Sequence, residues 1–293
     1  MKTKTILFSI LLAQFSFSNT LSVLTNGDGE PMDPKKEIHY KDIPPIVTDE
    51  YTMSFHDMHS QATFTLVRIE IENKTDGYLT FDLTKIGFTY PEKGTIYFKG
   101  SVLTGTSKLI GPHDKKDFTA KATDDGGWMQ VEKFHLTIDG IAIYPADGMK
   151  ITPPEFKLPA STNSIDAGAV KVNLLKVKQE TDVTAAQFEF TYKGQSAMVI
   201  DNSKMTIRTE AGQVYANVFK KSKPEFSFPN ESSKCWVQVS IPANVVDMQF
   251  ATLYVQFNDA IQQLSKEDLS KQDIDFEIDV EQTEAKAGKP GKK

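Results

Sequence analysis

One cysteine, two tryptophans and five histidines are all that 293 residues provide of the side chains that most often carry chemistry. The lone Cys235 excludes an internal disulfide, so packing alone must hold the fold. It alternates with Val237, Val239 and Ile241 and reads as a small buried apolar residue. Beyond the N-terminus no stretch approaches the roughly 20 apolar residues of a membrane-spanning helix. Positive charge is also in short supply. Thirty-three Lys and Arg face 39 Asp and Glu, a net −6, which argues against non-specific nucleic-acid binding, a contact made by lysine and arginine on phosphate. No Gly-Xaa-Ser-Xaa-Gly elbow, His-Glu-Xaa-Xaa-His pair, phosphate-binding glycine loop or dinucleotide fingerprint occurs. The expectation is a protein that is not an enzyme.

What is present begins with a secretory pattern. Lys2 and Lys4 precede a short apolar core, Ile6 to Ala13, and Ser16 and Ser18 set small residues before a cut at Asn19. Residues 1–18 are expected as a signal peptide, which makes the mature chain secreted or periplasmic. Residues 19–45 read as a polar, turn-rich leader, with a first short strand at Ile38–Ile43.

The rest of the chain is duplicated. Ile69-Glu70-Ile71, Asp82, Lys85, Gly94 and Tyr97 are matched by Phe188-Glu189-Phe190, Asp201, Lys204, Gly212 and Tyr215, between 119 and 118 residues further on. The match continues 117 residues apart with Pro112 and Pro229, Phe118 and Cys235, Leu136 and Leu253. A repeat of this length is a whole domain, since solenoid units span roughly 20–50 residues. Within each copy, short stretches of period-two alternation are separated by turn residues, as in Val67/Ile69/Ile71 against Arg68/Glu70/Glu72. That is the signature of an antiparallel sandwich. Pro145, Pro153, Pro154 and Pro159 punctuate residues 146–165, which read as a linker because proline removes a donor and fixes φ. Asp259–Gln272, with Ile261, Leu264 and Leu269, suggests a short helix before a last alternating strand at Asp273–Val280.

In the second copy, Gln187-Phe188-Glu189-Phe190-Thr191-Tyr192, Ile200-Asp201, Ala211-Gly212-Gln213-Val214-Tyr215, Phe228-Pro229 and Val237-Gln238-Val239-Ser240-Ile241-Pro242 carry a resemblance. The segment resembles the immunoglobulin-like domain of many bacterial secreted proteins and lipoproteins. The resemblance covers roughly 90 residues and is repeated more loosely in the first copy. It implies a binding role. The expected fold class is all-β: two tandem antiparallel immunoglobulin-like sandwiches, residues 46–145 and 166–280, with a short C-terminal helix and last strand. Residues 281–293 are expected as a flexible basic tail.

Three places could meet a ligand. Trp236 lies in the polar phase of its strand, with Gln238 and Ser240, and is expected to face outward; Trp128 sits on a glycine-rich loop. Exposed aromatic faces suit a partner protein or a glycan, and no membrane or nucleic acid. Met53, His56, Met58 and His59 form the densest set of metal-capable side chains, soft and imidazole ligands that suit copper. On a regular strand His56 and Met58 would share one face, and Met53 and His59 the other. Asn26-Gly27-Asp28-Gly29-Glu30 and Asp33, and the Asp124-Asp125 pair, offer oxygens for a cation such as calcium, although Asp-Gly is first of all a turn signal. The leading expectation is an extracytoplasmic binding protein without a cofactor. A periplasmic copper carrier and an accessory module of a hydrolase are the alternatives.

Overall fold

The computed structural model describes residues 33, 35–99, 107–219 and 224–287, so the expected signal peptide and the Asn26–Glu30 segment lie outside it. The described chain is all-β, with antiparallel pairing throughout and one helix, Val280–Ala287. No described helix is long and apolar enough to cross a membrane.

Two cores form, one per repeat. The first lies between two sheets. One sheet is ordered Ile38–His39, Tyr51–Gln61, Phe64–Asn73, Lys115–Thr123, with Ile46–Val47 also on Tyr51–Gln61. The other is a double ladder, built around Lys133–Ile138 and its continuation Ile141–Tyr144, which pair with Ile86–Tyr90 and Tyr78–Asp82. The second core repeats this plan. Ser164–Ala167, Val170–Gln179, Val183–Tyr192 and Ser232–Ser240 form one sheet. Leu253–Gln256 and Ile261–Leu264 centre the other, beside Thr206–Thr209 and Ala197–Ile200. Alternation decides which side chains enter: Val67, Ile69 and Ile71 are fully buried, as are Phe188 and Phe190.

The repeated Asp and Gly positions have structural causes. Asp82 and Asp201 each cap a single 3-10 turn that breaks a strand, accepting the backbone N–H of Thr84 at 3.0 Å and of Ser203 at 3.1 Å. Gly94 and Gly212 have φ of +80° and +87°, a backbone that an L side chain adopts only at a cost.

The proline-rich segment is not a spacer. It carries Met149–Ile151 and Phe156–Leu158, which pair with Ile261–Leu264 and Leu253–Gln256, and Ser164–Ala167 follows. All three are edge strands, the position in which proline is tolerated. The equivalent edge of the first half is closed by the far end of the chain. Glu267–Asp268 pairs with Ile141–Tyr144, and Gln272–Glu277 pairs with Lys133–Ile138. Phe156 and Leu158 align with Ile274 and Phe276, each 118 residues on. The strand that follows each repeat therefore completes the other repeat: Phe156 and Leu158 are buried in the second core, Ile274 and Phe276 in the first.

The helix expected over Asp259–Gln272 is absent; that span holds the strands Ile261–Leu264 and Glu267–Asp268. Residues three apart on a strand point to opposite faces. Ile261 enters the second core, while Leu264 enters a third cluster between the halves, with Ala142, Tyr144, Ala197 and Val199. Burial on both faces imitated the spacing of a helix. The actual helix lies in the segment expected as a tail; residues 288–293 lie outside the described residues.

Candidate functional site

Trp236 lies on the Ser232–Ser240 strand, between buried Cys235 and Val237, and opposite Gln187 of the neighbouring strand. Its phase carries it to the outer face, where it is half-buried. The outer edge of this strand is covered by residues 217–219. Asn217 Nδ2 donates to the Trp236 carbonyl at 3.1 Å, and Asn202 Nδ2 to the same oxygen at 2.9 Å. Asn217 Oδ1 accepts from the N–H of Gln238 at 2.9 Å and of Phe219 at 3.0 Å. One side chain thus ties two backbone stretches together and sets Phe219 over the indole. The rings stack with centroids 6.1 Å apart and planes 25° apart, and both remain half-exposed. Exposed Val218 adjoins them. Phe219 was not singled out from sequence. It closes a polar-flanked stretch, and only the Asn217 bridge brings it to Trp236.

Trp128 is held by the protein itself. Its Nε1 donates to Asp124 Oδ1 at 2.8 Å, its ring meets Tyr90 edge-on at 5.0 Å, and it packs against the first core. The Asp124 oxygen that might have bound a cation also accepts the Gly126 N–H at 2.7 Å, as a turn requires.

The Met–His set is divided by a β-bulge between His56 and His59, where Asp57 has φ of +48°. The extra residue resets the phase. Phe55 and Met58 both point inward, Met53 is fully buried, and both methionines belong to the first core. His56 is exposed and His59 half-buried, so His56 and Met58 do not share a face as a regular strand would have them. The neighbour His59 does gain is His39, its direct partner across the strand pair, with ring centroids 5.8 Å apart. Among the described residues no group of three or more His, Cys, Asp or Glu is arranged to hold a metal ion.

Two other residues settle local questions. Burial pushes the Cys235 thiol up to about 12, which suits a packed side chain and not a nucleophile. His135 faces outward, with Nδ1 2.9 Å from Asp275 Oδ1 and Nε2 3.3 Å from Asp273 Oδ1. Those bonds raise its pKa above 6.5, Asp275 contributing most. Both aspartates lie on the strand contributed by the end of the chain, so His135 clasps that strand rather than serving a cleft. No protein-family model matches the chain, and no curated protein matches it.

Proposed function

We propose that this is an extracytoplasmic binding protein that is not an enzyme, built from two immunoglobulin-like sandwich units, and that it acts through contact with another protein or a glycan. The half-exposed stack of Phe219 on Trp236 carries the reading. A flat, rigid pair of rings beside an exposed valine offers large apolar contact area at little entropic cost. The signal-like N-terminus and the resemblance of the second repeat support the same reading. Trp128, already satisfied by Asp124 and Tyr90, is secondary.

The test is affinity capture from extracytoplasmic extracts and a glycan array, with native protein and Trp236→Ala in parallel. A central aromatic contact costs about 2 kcal/mol or more when truncated, so the variant should lose at least about thirtyfold in affinity. Its folding stability should fall by only about 1 kcal/mol, the worth of one aromatic pair. Unchanged capture by Trp236→Ala removes this site. Demonstrated turnover of a substrate removes the whole reading.

A further inference from the structure

We propose that the C-terminal helix is an acid-released lid over the cavity that His39 and His59 share. The helix Val280–Ala287 has eight residues, too few to be stable unless docked. Its seat is one residue, His39. The His39 N–H donates to Thr283 Oγ1 at 3.0 Å, and the His39 carbonyl accepts the Asp279 N–H at 2.7 Å. Asp279 in turn caps the helix, its Oδ1 accepting the Gln282 N–H at 2.9 Å. Thr283 is buried by this contact. The helix supplies Gln282 and Lys286 to the wall of a cavity of about 560 Å³.

The side chain at the centre of the seat is titratable and 5% exposed. Lys286 Nζ lies 3.4 Å from His39 Nδ1. On the other side Glu37 Oε2 lies 3.3 Å from Nε2, yet Nε2 makes no hydrogen bond of its own. Gln61 Nε2 holds the other oxygen of Glu37 at 2.9 Å. The His59 ring faces from the neighbouring strand, with its Nδ1 3.0 Å from the Asp57 carbonyl; Asp42, His56 and Asp57 complete the cavity wall. A neutral imidazole fits between Lys286 and Glu37. An imidazolium would be a buried cation whose nearest helix neighbour is another cation.

Burial above all, and then Lys286, hold the His39 pKa below 6.5; Glu37 opposes them and His59 adds to them. The helix-seated state therefore prefers fewer protons than the released one. Its advantage is complete above 6.5 and drains as pH falls from there towards the depressed value. Release would uncover His39 and His59 and remove Lys286 from the cavity wall.

Hydrogen exchange of the intact chain tests this, with protection of residues 280–287 compared at about pH 8 and about pH 5, after correction for the intrinsic rate, limits that bracket histidine titration. Protection of the native helix should fall in acid by about tenfold for each unit of pKa depression. His39→Gln should abolish the response, and His59→Gln should keep it. Lys286→Met should weaken it. Equal protection at both pH values in the native chain, or a response that survives in His39→Gln, overturns the proposal. If His39→Gln fails to fold, an undiminished response in Lys286→Met overturns it instead.

Discussion

His135 shows how one surface residue can report on the architecture. Its ring joins two aspartates that are far away in sequence, and its side chain is 36% exposed. The protonated ring is the form that both carboxylates favour, so its folded pKa is raised. The contribution to stability is complete below 6.5 and is lost as pH rises through the raised value. NMR titration should place the His135 midpoint above 6.5, and Asp275→Asn should bring it back towards that value. A midpoint unmoved by Asp275→Asn would mean that the clasp does not form in solution. Asp273, bonded to Lys271 and Thr137 as well as His135, has its carboxyl drawn down to about 2, so its share persists through mild acid. Asn73 shows the same dependence on distant chain. It heads an Asn-Xaa-Thr sequence that reads as a glycan acceptor, yet it is buried, and its Nδ2 donates to the carbonyls of Gly77 and Gly111 at 2.8 and 2.9 Å. It closes a turn instead.

Single strands play roles that their own patterns do not reveal. Ile141–Tyr144 and Ala197–Ile200 are buried on both faces, because one face fills a core and the other meets the inter-half cluster. Tyr144 meets Phe226 there at 5.3 Å, edge-on, and Tyr78 lies 5.3 Å from the same ring. Gln272–Glu277 alternates cleanly, and its apolar phase belongs to the half whose sequence ended more than a hundred residues earlier. Phe276 is fully buried, stacked on Phe134 with centroids 4.8 Å apart. Phe276→Ala should cost about 3–5 kcal/mol, the usual loss for an aromatic ring deleted from a core. The loss should appear first in the first half, as collapse of exchange protection in Phe64–Asn73 and Lys133–Ile138. Loss confined to the second half would contradict the strand assignment.

The molecule as a whole is tied together by this exchange. Each half lacks one edge strand of its own and borrows it from the segment that follows the other repeat. Residues 33–145 made alone would leave the Lys133–Ile138 edge bare and the sites of Ile274 and Phe276 empty. That fragment should not form a cooperative fold by circular dichroism and urea titration. Adding a peptide of residues 267–287 should restore it. Cooperative folding of the fragment without the peptide would show the borrowed strand to be dispensable. In the intact chain, one unfolding transition is expected, since neither core is complete without the other's chain.

Much of this was legible along the chain. The duplication, the antiparallel all-β class, the burial of Cys235 and the outward phase of Trp236 follow from period two, which is local: each side chain's face is set by its immediate neighbours. Ile38 was readable as the start of a short strand for the same reason. Partners were not legible. Alternation says that Ile274 and Phe276 must be buried but not against which sheet, so the exchange of strands, the join of His39 to His59 and the placing of Phe219 over Trp236 were decided by tertiary structure. The bulge at Asp57 and the doubly buried strand at Ile261–Leu264 misled a local reading for one physical cause. A strand's pattern records only that a face is covered, and what covers it depends on chain that lies far off in sequence.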